Sequence, residues 1–324
     1  MYLNSRNTPP VLLHYRALSR RMVLGSEDSR NMKIYENGFF GECLYDNLFD
    51  EVGHDNLYVF RDIYLETGKT GAQYDSIIIA DDMITVNEIK NYSGEYYYKN
   101  GRFIKNNEVI PDNPFSQADR AVGKLYRICR NAKISADINS KVIFPNDDFK
   151  LYSEDDSIWR NIVIRMNLKK YFRQFKDSYN TEKAERLVSV IRSHISENPY
   201  FTGSSNIGRI NKGLYCGKCG NFNLIKTRYH RQCPGCGTKE SNETHMLRVM
   251  SDYKYLFYGK GMTRKSVLEL IDNEFDKKVV YRAFLKYCEA HKKGNQTYYT
   301  FKYYDFDEAY KKTEKLRKHR NYFI

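Results

Sequence analysis

Residues 73–91 read QYDSIIIADDMITVNEIKN, and that stretch describes two strands joined by a tight reversal. The run Ile77-Ile78-Ile79 is a buried-strand signature, Asp81-Asp82 is a short polar break, and residues 83–90 form a second strand. A symmetrical reversal about Asp81-Asp82 pairs residues whose numbers sum to 163, which sets Asp75 opposite Glu88. Directly opposed residues share one sheet face with Cβ atoms ~4.5–5.5 Å apart. Lys90 lies two residues beyond Glu88 and shares that face. Two carboxylates and an amine therefore converge, and like charges placed opposite each other destabilise a sheet unless something compensates. A hard divalent cation such as Mg²⁺ compensates, since it takes one or two carboxylates plus phosphate oxygens and water. A solvated hairpin face, on which these charges have no role, fits the same residues.

Working outward, residues 37–51 place Phe40, Leu44 and Leu48 at helical spacing, and residues 57–65 read as a strand ending near a Gly68–Gly71 turn. Downstream, residues 96–99 and 102–104 flank Asn100-Gly101, a strong hairpin signal. Asn113 as N-cap and Pro114 at the first position open a helix to about residue 130, with Phe115, Ala118, Val122 and Leu125 on one stripe. Short strands at 141–145 and 162–166 and a helix around 187–195 complete an α/β domain. Before it, Val11, Leu12, Leu13 and Leu18 stand among arginines and predict one helix.

Four ordered blocks carry a family likeness. They are Gly41-Glu42 on the first helix and Gln73-Tyr74-Asp75 entering a strand, then Glu88-Ile89-Lys90-Asn91 with Gly94 after it, and Asn113-Pro114-Phe115-Ser116-Gln117 opening a helix. Together, over about residues 31–145, they resemble the nuclease-related domain (NERD) branch of the PD-(D/E)XK nucleases. Tyr74 departs from the pattern, which usually has a smaller aliphatic residue beside the aspartate. The resemblance implies a restriction-endonuclease-like mixed sheet flanked by helices. It implies that Asp75 and Glu88 bind Mg²⁺ or Mn²⁺, and that Lys90 positions water or stabilises the phosphate. It implies also that Glu42 holds metal-ordered water or a second ion, and that Gln117 orients water or backbone phosphate. A favourable first-turn charge at Glu42 and an ordinary exposed Gln117 are the plain alternatives. Nuclease folds also serve as binding modules, so the likeness does not itself establish activity.

Cys216-x2-Cys219 and Cys233-x2-Cys236 are followed by Gly220 and Gly237. Two such knuckles place four thiolates for one tetrahedral Zn²⁺, and with no open position the ion is structural. Lys226, Arg228 and Arg231 lie between the knuckles, where a ribbon hairpin displays them to nucleic acid or to solvent. Beyond the ribbon, Met246, Met250, Tyr253 and Phe257 mark one helix, Thr263 caps a second and Asp276 a third, and residues 292–296 turn into an alternating strand. That order fits either a winged helix, whose third helix carries Lys277, Lys278, Arg282 and Lys286 into a groove, or a small helical cap. The last helix carries Lys311, Lys312, Lys315, Arg317, Lys318 and Arg320 as a solvated or phosphate-contacting tail.

Net charge is +13, yet residues 1–204 hold 28 basic and 28 acidic side chains. The whole excess lies beyond residue 204, the usual footprint of a polyanion partner. No apolar run reaches the ~18 residues of a membrane span, the first ten residues are polar, and the cysteine usage suits a reducing compartment. The expected organisation is an N-terminal helical extension (1–30), a nuclease-like domain (31–197), a linker (198–213), a zinc ribbon (214–240) and a basic helical or winged-helix module (241–324). The expected function is a cytoplasmic Mg²⁺-dependent deoxyribonuclease with DNA as partner and no membrane association. The rival expectations are a DNA-binding regulator on an inactive nuclease fold and an RNA-processing or RNA-binding protein.

Overall fold

The structure is a computed structural model that describes residues 1–320 apart from 69, 202, 204 and 295; of residues 315–320 it describes the backbone alone. The chain divides into two compact units, residues 1–8 with 33–199 and residues 9–32 with 200–324. The N-terminal segment, expected as one extension, thus contributes to both.

The elements begin with α1 (Pro10–Arg21), in the second unit, and α2 (Ser26–Val52). The first unit continues with β1 (Tyr58–Thr67), β2 (Thr70–Ala80), β3 (Met83–Ile89), β4 (Gly94–Lys99), β5 (Arg102–Lys105), β6 (Glu108–Val109), α3 (Pro114–Asn131), β7 (Asp137–Phe144), β8 (Phe149–Ser153), β9 (Ile162–Ile164), α4 (Arg165–Arg173), α5 (Glu182–Ser193) and β10 (Ile195–Ser196). A six-stranded sheet runs in the order β10-β1-β2-β3-β7-β9, antiparallel from β1 to β3 and parallel from β3 to β9. Both faces are covered, which is why the β2 run is continuously apolar. Ile77 and Ile79 pack with Leu125 and Ile128 of α3 and Leu187 and Ile191 of α5. Ile78 packs on the other side with Tyr45 and Phe49 of α2 and Leu168 and Phe172 of α4. Each such side chain contributes roughly 1.5–3 kcal/mol when fully buried. This is the mixed sheet flanked by helices that the sequence predicts. A smaller sheet, β6-β5-β4-β8, turns at Asn100-Gly101 with φ of +50° and +76°.

Three local expectations differ from the structure. The first long helix starts at Ser26, not residue 37, with Glu27 and Asp28 in its first turn complementing the dipole. Its buried residues are Gly41, Tyr45, Asp46, Leu48 and Phe49; of the predicted stripe Leu48 is buried, while Phe40 is exposed and Gly41 packs in its place. The strand predicted over 162–166 stops at Ile164, and α4 follows.

The β2–β3 register obeys the predicted sum of 163 from Ala80↔Met83 to Ser76↔Asn87, where the ladder ends. Asp75 and Glu88 lie one step past that end and are not a ladder pair. Across β1, Asp62 has φ +45° and stands between the pairs Arg61↔Ser76 and Ile63↔Tyr74, opposite Asp75. Phe60 and Ile63 face the same core although three residues apart, as do Tyr74 and Ile77. Both strands therefore lose their alternation at an aspartate, as at a bulge, which re-aims side chains beside functional sites.

The second unit continues with β11 (Ile225–Lys226), β12 (His230–Gln232), β13 (Lys239–Ser241), α6 (Asn242–Leu256), α7 (Arg264–Leu270), α8 (Lys277–Tyr287), β14 (Cys288–Lys293), β15 (Gln296–Phe301) and α9 (Phe306–Arg320). Thr263 and Asp276 cap α7 and α8 as the sequence predicts. One core runs through the unit, from Leu18 of α1 and Leu214 before the ribbon to Met250, Leu270, Phe284 and Tyr299. Among described residues, Lys312 pairs with Glu308 at 2.6 Å; the side chains of Lys315, Arg317, Lys318 and Arg320 lie outside the described residues, as do Lys69 in the 68–71 turn, Thr202 and Ser204 in the 198–213 segment and Asn295 in the 292–296 turn.

Candidate active site and metal centre

A Cβ on Gly41 would stand 2.4 Å from the Asn91 Cβ, so only glycine lets α2 pass this close to the chain leaving β3. Asn91 Nδ2 donates to the Asn37 carbonyl at 2.8 Å and locks that crossing. The next helical residue, Glu42, is thereby brought within electrostatic reach of Asp75. Just past the end of the β2–β3 ladder, Asp75 Oδ2 accepts the Ile89 N–H at 2.8 Å, so a side chain takes the bond that the ladder would have made. Lys90 Nζ lies 2.7 Å from Glu88 Oε1. Beneath them Asn87 is clamped by Tyr45 Oη at 2.8 Å and Tyr171 Oη at 2.6 Å, which fixes the β3 end.

Burial raises Glu88 above the usual carboxylate range, and Asp75 adds to the rise while Lys90 and Arg120 oppose it. Burial raises Glu42 likewise, again with Asp75 adding and Arg6 opposing. Burial works against the charge on Lys90, but Glu88 and Asp75 outweigh it and hold the ammonium protonated. Carboxylates crowded out of water with too few cations make a site that favours a cation, and their hard oxygens suit Mg²⁺ or Mn²⁺. Asp75 and Glu88 would hold it.

Gln117 sits in the first turn of α3, whose cap Asn113 accepts the Phe115 N–H at 3.0 Å. Its Oε1 is buried and finds no hydrogen-bond partner among the described residues. Arg120, three residues on and on the same face, lowers Glu88 electrostatically, so this face of α3 borders the carboxylates. Tyr74, the departure from the family pattern, is buried and donates its hydroxyl to the Ala121 carbonyl at 2.8 Å, tying β2 to α3. Sequence reasoning missed Arg120, Asp62, Asp46 and Arg6. Arg120 and Asp46 carried a signal, at i+3 from Gln117 and i+4 from Glu42; Arg6 and Asp62 carried none.

The blocks that build this site coincide with a family match over residues 37–145. That segment is a nuclease-related domain. No curated protein and no solved structure matches the chain.

Beyond the nuclease-related domain, the sulfurs of Cys216, Cys219, Cys233 and Cys236 all lie within 4.8 Å of one another, the only such group of three or more His, Cys, Asp or Glu among the described residues. Cys216 Sγ is 3.6 Å from Cys236 Sγ, and Cys219 Sγ 3.5 Å from Cys233 Sγ. A tetrahedron with Zn–S of about 2.3 Å has edges of about 3.8 Å, so four thiolates fit Zn²⁺. Gly220 (φ +78°) and Gly237 (φ +71°) donate to the Cys216 and Cys233 carbonyls at 2.8 and 2.9 Å and close the knuckles. The backbone amides of Asn221 and Thr238 reach the Cys219 and Cys236 sulfurs.

The basic candidates separate. Lys226, Arg228, Lys277, Lys278 and Arg282 are exposed. Arg231 is not: it is 2% exposed, ion-paired with Glu274 at 2.7 Å and laid over Phe275, so it fastens the ribbon to the α7–α8 segment. Lys286 is held by Glu243 at 2.5 Å. Its neighbour Tyr287 donates to the same carboxylate. Sequence spacing does not reveal either partner, because both lie 43 residues away.

Proposed function

We propose that this chain is a metal-dependent nuclease that hydrolyses DNA phosphodiester bonds, with the zinc ribbon and the basic α6–α9 module carrying it to DNA. The observation that supports this most is the convergence of Asp75, Glu88 and Lys90 where β2 and β3 stop pairing, inside a nuclease-related domain. A divalent ion held by Asp75 and Glu88 would supply an acidified water and neutralise phosphate charge. Lys90 holds a proton at Nζ, directs it at the non-bridging oxygens as charge develops there, and keeps Glu88 oriented. Gln117 orients water or a backbone phosphate through its amide, and Arg120 attracts the phosphate from the rim.

Binding belongs to the second unit in this reading. All of the excess positive charge lies beyond residue 204, and α6, α7, α8, β14 and β15 follow the order of a winged helix, with Lys277, Lys278 and Arg282 exposed on α8. Thiolate ligands for Zn²⁺ are kept in a reducing compartment, which agrees with a cytoplasmic protein. Among the described residues no helix is long and apolar enough to cross a membrane.

Incubating plasmid and linear DNA with the purified protein in Mg²⁺, Mn²⁺ or EDTA tests the reading. Cleavage in either metal and none in EDTA is expected. Tight duplex binding without cleavage in either metal would establish the non-catalytic regulator instead, and stronger competition by ribo-oligonucleotides would redirect the substrate to RNA.

A further inference from the structure

Arg6 is buried among the carboxylates of the candidate site. Its side chain is 3% exposed. One end nitrogen pairs with Glu42, the helix carboxylate, and the other lies 3.0 Å from the Asp75 carbonyl oxygen. The guanidinium grips Asp46 in a fork as well, Nε to Oδ2 at 2.8 Å and Nη2 to Oδ1 at 3.1 Å. Arg61 holds the outer side of Asp46 at 3.1 Å. A guanidinium cannot release its proton in a protein and its donors are fixed in one plane, so it is a permanent cation here.

Two-metal nucleases clamp the attacking and leaving oxygens between ions about 3.5–4 Å apart. The family resemblance gives Glu42 as the candidate ligand of a second ion, and Arg6 already pairs with Glu42 and takes the Asp75 backbone carbonyl beside it. Charge points the same way. Glu42, Asp46, Asp62, Asp75 and Glu88 supply five carboxylates, and Arg6, Arg61 and Lys90 supply three cations, with Arg120 at the exposed rim. The negative charge left over, two without Arg120 and one with it, is met by one divalent ion, and two ions would overshoot it.

We propose that Arg6 is a built-in cation that takes the place of a second metal, so that the nuclease-related domain binds a single divalent ion between Asp75 and Glu88. The inference rests on the metal-dependent reading above. Arg6 is a positioning residue in this account: it holds Glu42 in place for the water beside the ion, and touches no reacting atom.

The test is Mn²⁺ stoichiometry on the full, zinc-loaded chain, by titration calorimetry and by the loss of free-Mn²⁺ paramagnetic resonance signal. Zn²⁺ outcompetes Mn²⁺ at thiolates, so the ribbon does not contribute to the count. Wild type should bind one Mn²⁺ per chain, Arg6→Lys one, and Arg6→Gln two. Should Arg6→Gln fail to fold, Arg6→Gln with Asp46→Asn, which removes the carboxylate left without its fork, carries the same expectation. Two ions in wild type, or one in the glutamine variants, would overturn the role of Arg6 and leave the nuclease reading standing. No Mn²⁺ in any of them would overturn both.

Discussion

The Lys90 ammonium lies 2.7 Å from Glu88 Oε1, two residues apart in sequence and just past the point where β3 stops pairing with β2. The ion pair keeps a buried carboxylate oriented and a buried ammonium charged, each of which alone would be pushed toward neutrality. Removing the amine separates chemistry from binding. Lys90→Ala should lower cleavage by about 10²-fold or more, as loss of one charge-stabilising group does. Duplex affinity, measured by fluorescence anisotropy, should stay within about twofold, since the proposed binding surface is in the other unit.

Glu42 and Glu88 both bind their protons more tightly in the folded chain than in the unfolded one, burial first and Asp75 second. The stability they lend is complete below the ordinary value of 4.5 and is lost as pH climbs through their folded values, about 7 for Glu88 and about 8 for Glu42. His245 in the second unit acts oppositely, because burial lowers it, but its contribution is complete above its ordinary 6.5. Thermal stability of the first unit should therefore fall as pH rises from about 4.5 to 8 and level off above that, the part above pH 6.5 being free of any His245 contribution. Saturating Mn²⁺ should cancel the Glu88 share of the loss, since the ion takes the place of that proton.

Zinc removal should unfold more than the ribbon. Arg248 bonds the Tyr215 carbonyl at 3.3 Å and pairs with Glu240, whose Oε2 accepts the Gly217 N–H at 2.9 Å, so the first knuckle is wired to α6. Cys219→Ser should remove Zn²⁺, measured by atomic absorption, and lower the melting temperature of the second unit as a whole. Duplex affinity should fall with it. Cleavage abolished with affinity intact would contradict the division of labour between the units.

Salt dependence tests the basic surface. Replacing Lys277, Lys278 and Arg282 with alanine should weaken duplex binding and flatten the log–log salt slope by about 0.9 for each phosphate no longer neutralised. Arg231→Ala should behave differently. It should cost about 1.5–3 kcal/mol of stability, through the charge-assisted bonds lost at the part-exposed Glu274, and leave the slope unchanged.

Much of this site was legible because it is local. The register about Asp81-Asp82, the Asn113 cap and the Cys-x2-Cys knuckles depend on residues a few positions apart, and all three appear in the structure. What escaped was set by long-range packing. Arg6 meets Glu42 from 36 residues away, and Arg231 meets Glu274 from 43. The face of α2 turned on the close pass of Gly41 over Asn91, which no periodicity reports. Asp62 looked like any polar residue in a strand, and only its left-handed backbone, opposite Asp75, brings it into the cluster.

Asp75 is assigned to chemistry and not to binding. The most direct measurement is nicking of supercoiled plasmid by wild type and by Asp75→Asn, in Mn²⁺ and in EDTA, with duplex affinity measured on the same preparations. Wild type should nick in Mn²⁺ and not in EDTA, and Asp75→Asn should bind DNA as tightly yet leave the plasmid intact. A wild-type protein that binds DNA and never nicks it, or an Asp75→Asn protein that nicks at the wild-type rate, would contradict the account.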